Sequence, residues 1–137
     1  MQDRPTVAEF LTAIEQLLET ELMPHLTGSR QFYARVATNA LRMVMRELEQ
    51  EEVHLATEWA GLNALLPAAE PPTARAALRA AIHQRTEELC KRIRQGDADI
   101  GLYRDHVLTH VRQTVENKLR VSNPRWIDSP TSPKRSV

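Results

Sequence analysis

Apolar residues recur every three or four positions along most of the chain, the spacing that lines side chains up on one face of an α-helix. The first such run is Val7, Phe10, Leu11, Ile14, Leu17, Leu18 and Leu22. Thr6 and Glu9 stand before it at capping-box spacing, where hydroxyl and carboxylate satisfy reciprocal backbone N–H groups. Glu15, Glu19 and Glu21 are turned to water, and Pro24 and Gly28 close the helix.

Ser29 is a suitable N-cap for a second helix reaching about Glu52. Its apolar positions are Phe32, Val36, Ala37, Ala40, Leu41, Met43, Val44, Met45 and Leu48, and they crowd together over residues 41–45. A wide apolar arc predicts contact on more than one side, which makes this the central helix. The acidic run Glu47, Glu49, Glu51 and Glu52 opposes the dipole at a helix C-terminus but suits the start of a following helix. A break is therefore expected near Glu51 to Val53. A third helix then runs from Val53 to Leu66, with Leu55, Trp59, Leu62, Leu65 and Leu66 inward.

Prolines and small residues make Pro67 to Pro72 a linker. An alanine-rich fourth helix opens at Pro72 and Thr73, carries Ala74, Ala77, Leu78, Ala81, Ile82, Leu89 and Ile93, and stops at Gly96. After a polar loop, a fifth helix spans Leu102 to Arg120 with Val107, Leu108, Val111, Val115 and Leu119 on one face. Asn123-Pro124 ends it. Trp126 and Ile127 are expected to fold back as a plug on one end. No strand pattern occurs. The reading is an all-α protein, a bundle of four to five helices over residues 1–127, with a disordered tail over 128–137 rich in Ser, Pro and basic residues.

A length of 137 residues suits one domain, and an apolar share of 42% is enough for a core. The 18 Lys and Arg residues balance the 18 Asp and Glu residues. That balance removes the electrostatic case for nucleic acid or an anionic membrane as partner. No apolar stretch approaches the roughly 20 residues of a membrane span, and no apolar block follows a basic start, so the expected compartment is the cytoplasm. Cys90 is the sole cysteine, which excludes an intramolecular disulfide and a cysteine-based zinc site. Within a helix it reads as a small core residue.

Candidate chemistry is sparse. His106 and His110 share a helix face and are weak metal candidates, but no third ligand is evident and Val107 breaks the HExxH pattern. Glu51 and His54 form a single Glu-x-x-His step, whereas di-iron bundles use two. Nucleophile elbows and phosphate-binding glycine loops are missing, so no metal, cofactor or catalytic residue is assigned. Basic residues cluster on the second helix (Arg30, Arg35, Arg42, Arg46) and the fourth (Arg79, Arg85, Lys91, Arg92, Arg94), and aromatics are scarce, 4% of the chain, so a stacking platform for single strands is unsupported. Such faces are solvated or ion-paired more often than bound to nucleic acid.

Arg35 and Asn39 lie one turn apart on the most apolar helix, and Asn39 falls between Val36, Ala40 and Val44. Asn39 should therefore point partly inward, where an unpartnered amide costs about 1–3 kcal/mol. Asp3, Arg4, Asn117 and Asn123 are possible partners. Arg35, Asn39 and Asn123 make the candidate binding cluster, with a lock on helix register as the plainer reading.

Four segments together carry a likeness: Met1 to Pro5, Ala34-Arg-Val-Ala-Thr-Asn-Ala-Leu41, Glu88-Leu-Cys-Lys-Arg-Ile-Arg-Gln-Gly96 and Lys118-Leu-Arg-Val-Ser-Asn-Pro-Arg125. Over most of residues 1–126 the chain resembles a family of small bacterial all-helical proteins of unknown function. Genes of that family often lie beside an aminoglycoside-phosphotransferase-like kinase and an acyl-CoA dehydrogenase. The resemblance thus implies an accessory role near acyl-CoA or small-molecule phosphate metabolism, and brings no catalytic residue with it. The expected function is a non-catalytic helical interaction module, associated with a metabolic enzyme or with itself. The alternative is a small-ligand or acyl-chain binding bundle, with Arg35 and Asn39 as anchors and Met43 and Met45 as adaptable walls.

Overall fold

The computed structural model describes residues 4–128. They form five α-helices and no strand: α1 (Val7–Gln16), α2 (Gly28–Leu65), α3 (Arg75–Arg94), α4 (Gly101–Ser122) and the single turn α5 (Arg125–Asp128). The all-α class is as the periodicity predicts. Two compact units divide the chain, residues 1–49 and 50–137, with the division inside α2.

In the first unit the capping box at the start of α1 is complete. Glu9 Oε2 accepts from the Thr6 N–H at 2.6 Å, and Thr6 Oγ1 accepts from the Glu9 N–H at 3.2 Å. The α-helix then widens into a π-type turn over Leu17–Leu22, where the Met23 N–H reaches back to the Leu18 carbonyl. At its entry the Thr20 hydroxyl donates to the Gln16 carbonyl at 2.8 Å, a side-chain bond that competes with the regular ladder. A 3-10 turn, Met23–His25, carries Pro24 and ends the run near the expected place. The chain reverses into α2 through Gly28, whose φ of 60° is the left-handed conformation glycine tolerates.

The early part of α2 turns Gln31, Ala34, Thr38, Leu41, Arg42 and Met45 inward at three- and four-residue spacing, with Thr38 fully buried. Its hydroxyl donates to the Ala34 carbonyl at 3.0 Å, which lets a polar side chain sit there without an orphaned group. Arg42 Nε donates to Glu15 Oε1 at 2.7 Å, and the same guanidinium pairs with Glu19. Gln31 reaches the Met23 carbonyl, so the two arms run antiparallel.

The expected break near Glu51 is absent: α2 continues unbroken through the acidic run to Leu65. Glu51 is buried, and Arg79 and Arg75 of α3 pair with its carboxylate, the latter at 3.5 Å. The charge is balanced sideways by another helix, so it gives no reason for the helix to end.

The core lies in the second unit. Trp59, Leu62, Leu65 and Leu66 of the α2 end pack with Ile82 and Leu89 of α3 and Val107 of α4, flanked by Leu55, Leu78, Ala81, Ala98 and Tyr103. Asn63 holds the proline linker, its amide donating to the Ala69 carbonyl at 3.0 Å and accepting from the Ala69 N–H at 3.3 Å. α3 ends in a Schellman arrangement. The Asp97 N–H meets the Arg92 carbonyl, the Gly96 N–H meets the Ile93 carbonyl, and Gly96 has a φ of 92°.

Beyond α4, Trp126 is 70% exposed, so the expected plug does not form around it. The Trp126 N–H closes a turn on the Asn123 carbonyl at 3.1 Å, and of the two expected plug residues Ile127 is the half-buried one. The tail expected to be disordered lies, after Asp128, outside the described residues. Among the described residues no helix is long and apolar enough to cross a membrane.

Candidate interaction surface

α4 meets the core with its more polar face. Its inward positions are Tyr103, Val107, His110, Thr114, Asn117 and Val121, one helical step away from the apolar run. The Tyr103 hydroxyl donates to the Leu65 carbonyl at 3.2 Å, which also satisfies a carbonyl at the end of α2. His110 settles against Gly61, where a Cβ would approach its Cε1 to 2.9 Å. Burial pushes the His110 pKa below the usual imidazole value, and the nearby Glu58 carboxylate only partly opposes this. Leu108, Val111 and Val115 consequently stay 47%, 43% and 49% exposed. They lie at three- and four-residue spacing and form an apolar stripe on the outer side of α4.

The far end of α2 is secured by α3. Arg85 of α3 donates to the Leu62 carbonyl at 3.3 Å, to Asn63 Oδ1 at 2.7 Å and to the Pro67 carbonyl at 3.1 Å. Its guanidinium also lies over the Trp59 ring, 4.9 Å from the centroid. Arg85 therefore caps α2 from a neighbouring helix. The Arg85 Nε and Trp59 Nε1 atoms are buried without a hydrogen-bond partner.

The first unit contains no buried apolar side chain among the described residues. Val7, Phe10, Ile14 and Leu17 of its first arm are exposed, as are Tyr33, Val36, Met43 and Val44 of α2. The Arg42 hydrogen bond holds the Glu19 carboxyl below the usual carboxylate range. A pair of helices can clamp in this way through charge, but it has too little shared surface to enclose a core of its own.

The model of a domain of unknown function, DUF6285, matches residues 24–126. The chain belongs to the DUF6285 family. No curated protein and no solved structure matches it. The DUF6285 match takes in α2, α3, α4 and the start of α5, while α1 and the π-type turn precede it.

The candidate residues take varied places in this DUF6285 chain. Arg35 and Asn39 are exposed on α2, and Asn123 is exposed at the end of α4, where its N–H bonds the Leu119 carbonyl at 2.8 Å. The inward position expected for Asn39 belongs to Thr38 instead, because the Ala34–Thr38–Leu41–Met45 row is the one that faces inward. Met43 is exposed and Met45 half-buried; Arg4 is exposed, and Asp3 lies outside the described residues. His106 is exposed while His110 packs against Gly61, and no group of three His, Cys, Asp or Glu side chains gathers among the described residues. Glu51 is engaged by arginines, and Cys90 is half-buried. Arg85, Thr38 and Gly61 had no local signal, since each matters through a neighbour distant in sequence or through one helix's exact rotation.

Proposed function

We propose that this DUF6285 protein is a non-catalytic interaction module that works in the cytoplasm and docks on a metabolic enzyme through the outer stripe of α4. The observation that carries the reading is the rotation of that helix, which buries Val107 but leaves the rest of its apolar run outward. A helix that sends His110, Thr114 and Asn117 inward and leaves Leu108, Val111 and Val115 outward keeps apolar surface available for another molecule. The likeness stated for the sequence supports an aminoglycoside-phosphotransferase-like kinase or an acyl-CoA dehydrogenase as the enzyme.

The test is a binding titration of purified protein against each of the two enzymes from the same source. Micromolar association that is lost in Val111→Asp, with helix content unchanged by circular dichroism, is the expected result. Lack of association with both enzymes overturns the reading, and so does binding that is indifferent to Val111→Asp.

A further inference from the structure

The first unit has its own open surface, distinct from the α4 stripe, and its charges are sorted. Residues 7–24 carry Glu9, Glu15, Glu19 and Glu21 and no Lys or Arg. Residues 28–46 carry Arg30, Arg35, Arg42 and Arg46 and no Asp or Glu. Within the chain Arg42 accounts for Glu15 and Glu19. One arm is thus an acidic helix and the other a basic one, each with apolar side chains left open.

On the acidic arm the open residues are Val7, Phe10, Ile14 and Leu17, at 66%, 47%, 45% and 52% exposure. Their 3-4-3 spacing is that of a coiled-coil seam, which expects a facing helix. On the basic arm Val36 and Met43 are open in the same manner. At on the order of 80 Å² apiece, these six side chains offer roughly 500 Å² of apolar surface. That is about the apolar share of the ~800 Å² each partner contributes to a standard interface.

We infer that a second copy of this chain covers this surface, with the acidic α1 arm of each copy lying along the basic start of α2 in the other. Resting on the reading of the protein as an interaction module, the inference adds a partner for the other unit. Pairing α2 with α2 would set Arg30 and Arg35 of the two copies against each other, and pairing α1 with α1 would set Glu21 against Glu21; only the crossed arrangement joins opposite charges. It is also closed, because a two-fold axis makes both crossed contacts at once and leaves neither arm over. Each crossed contact then gives the open apolar side chains of one arm a facing helix, the standard solution for helices that cannot bury a face alone.

The test uses the full-length chain in two oppositely recharged forms, one that adds positive charge to the α1 arm by Gln16→Arg with the reversal Glu21→Arg, and one that reverses Arg30→Glu with Arg35→Glu. In light scattering after size exclusion the unaltered chain is expected to run as a dimer. Each recharged form, with its helix content intact, is expected to run as a monomer. Mixed together, they should recover a one-to-one dimer in native mass spectrometry, because the heterodimer restores opposite charge at both contacts. An unaltered chain that is monomeric throughout the micromolar range overturns the inference, as does a recharged form that still dimerises alone. A monomer that nonetheless binds an enzyme through α4 overturns the second copy and leaves the docking reading standing. A charge-dependent dimer that binds neither enzyme does the opposite.

Discussion

The ring of His110 fills the notch that Gly61 leaves on α2, so closely that a Cβ at position 61 would collide with it. In an open helix, Gly→Ala stabilises by roughly 0.8–1 kcal/mol. Here that gain is opposed by overpacking, which costs about 1–3 kcal/mol. Gly61→Ala is expected to destabilise the protein by about 1 kcal/mol in urea unfolding. In a His110→Ala background the same substitution should become stabilising, and the change of sign identifies the contact.

The same ring makes stability depend on pH. Burial lowers the His110 pKa in the fold, while an unfolded histidine titrates near about 6.5. Below that value the unfolded chain takes up a proton that the folded chain resists. The contribution is therefore complete above about pH 6.5 and is lost as the pH falls towards the folded pKa. Urea midpoints measured at neutral and mildly acidic pH should show this loss in the natural chain and a smaller loss in His110→Gln.

Arg85 is the tertiary cap of α2, and its planar head meets two carbonyls, an amide oxygen and an indole face at once. Hydrogen bonds contribute about 0.5–1.5 kcal/mol each and the stacked cation about 1 more. Arg85→Ala is expected to cost about 2–3 kcal/mol in thermal or urea unfolding. Arg85→Lys should restore less than half of that, because the shorter side chain ends in a compact ammonium that cannot lie flat on the Trp59 ring.

The first unit, with no buried apolar side chain among its described residues, should open more readily than the second. Hydrogen exchange read by mass spectrometry is expected to show faster exchange in residues 7–22 than in α3. Arg42→Ala should quicken exchange there further, by removing the bonds to Glu15 and Glu19, while leaving α3 unchanged.

Local chemistry made much of the fold legible. The Thr6–Glu9 box, the Pro24 stop, the proline linker and the Gly96 terminator each act within a few residues, so spacing alone locates them. The apolar row Trp59, Leu62, Leu65 and Leu66 likewise faces the core as its period implies. The reading failed where a side chain's meaning lies in a distant partner. Glu51 looked like a helix boundary because its arginines are on α3. Asn39 looked inward because a wide apolar arc allows several rotations, and only the packing of the first arm selects Thr38. α4 is the clearest case: Val107 faces the core as its period implies, but the His110–Gly61 fit and the Tyr103 bond to Leu65 go with a rotation that leaves Leu108, Val111 and Val115 outside. Helix propensity, capping and chain breaks are short-range and are written in the order of residues. The rotation of each helix about its axis, and hence which apolar surface remains open for a partner, arises only when several helices compete to fill the same space.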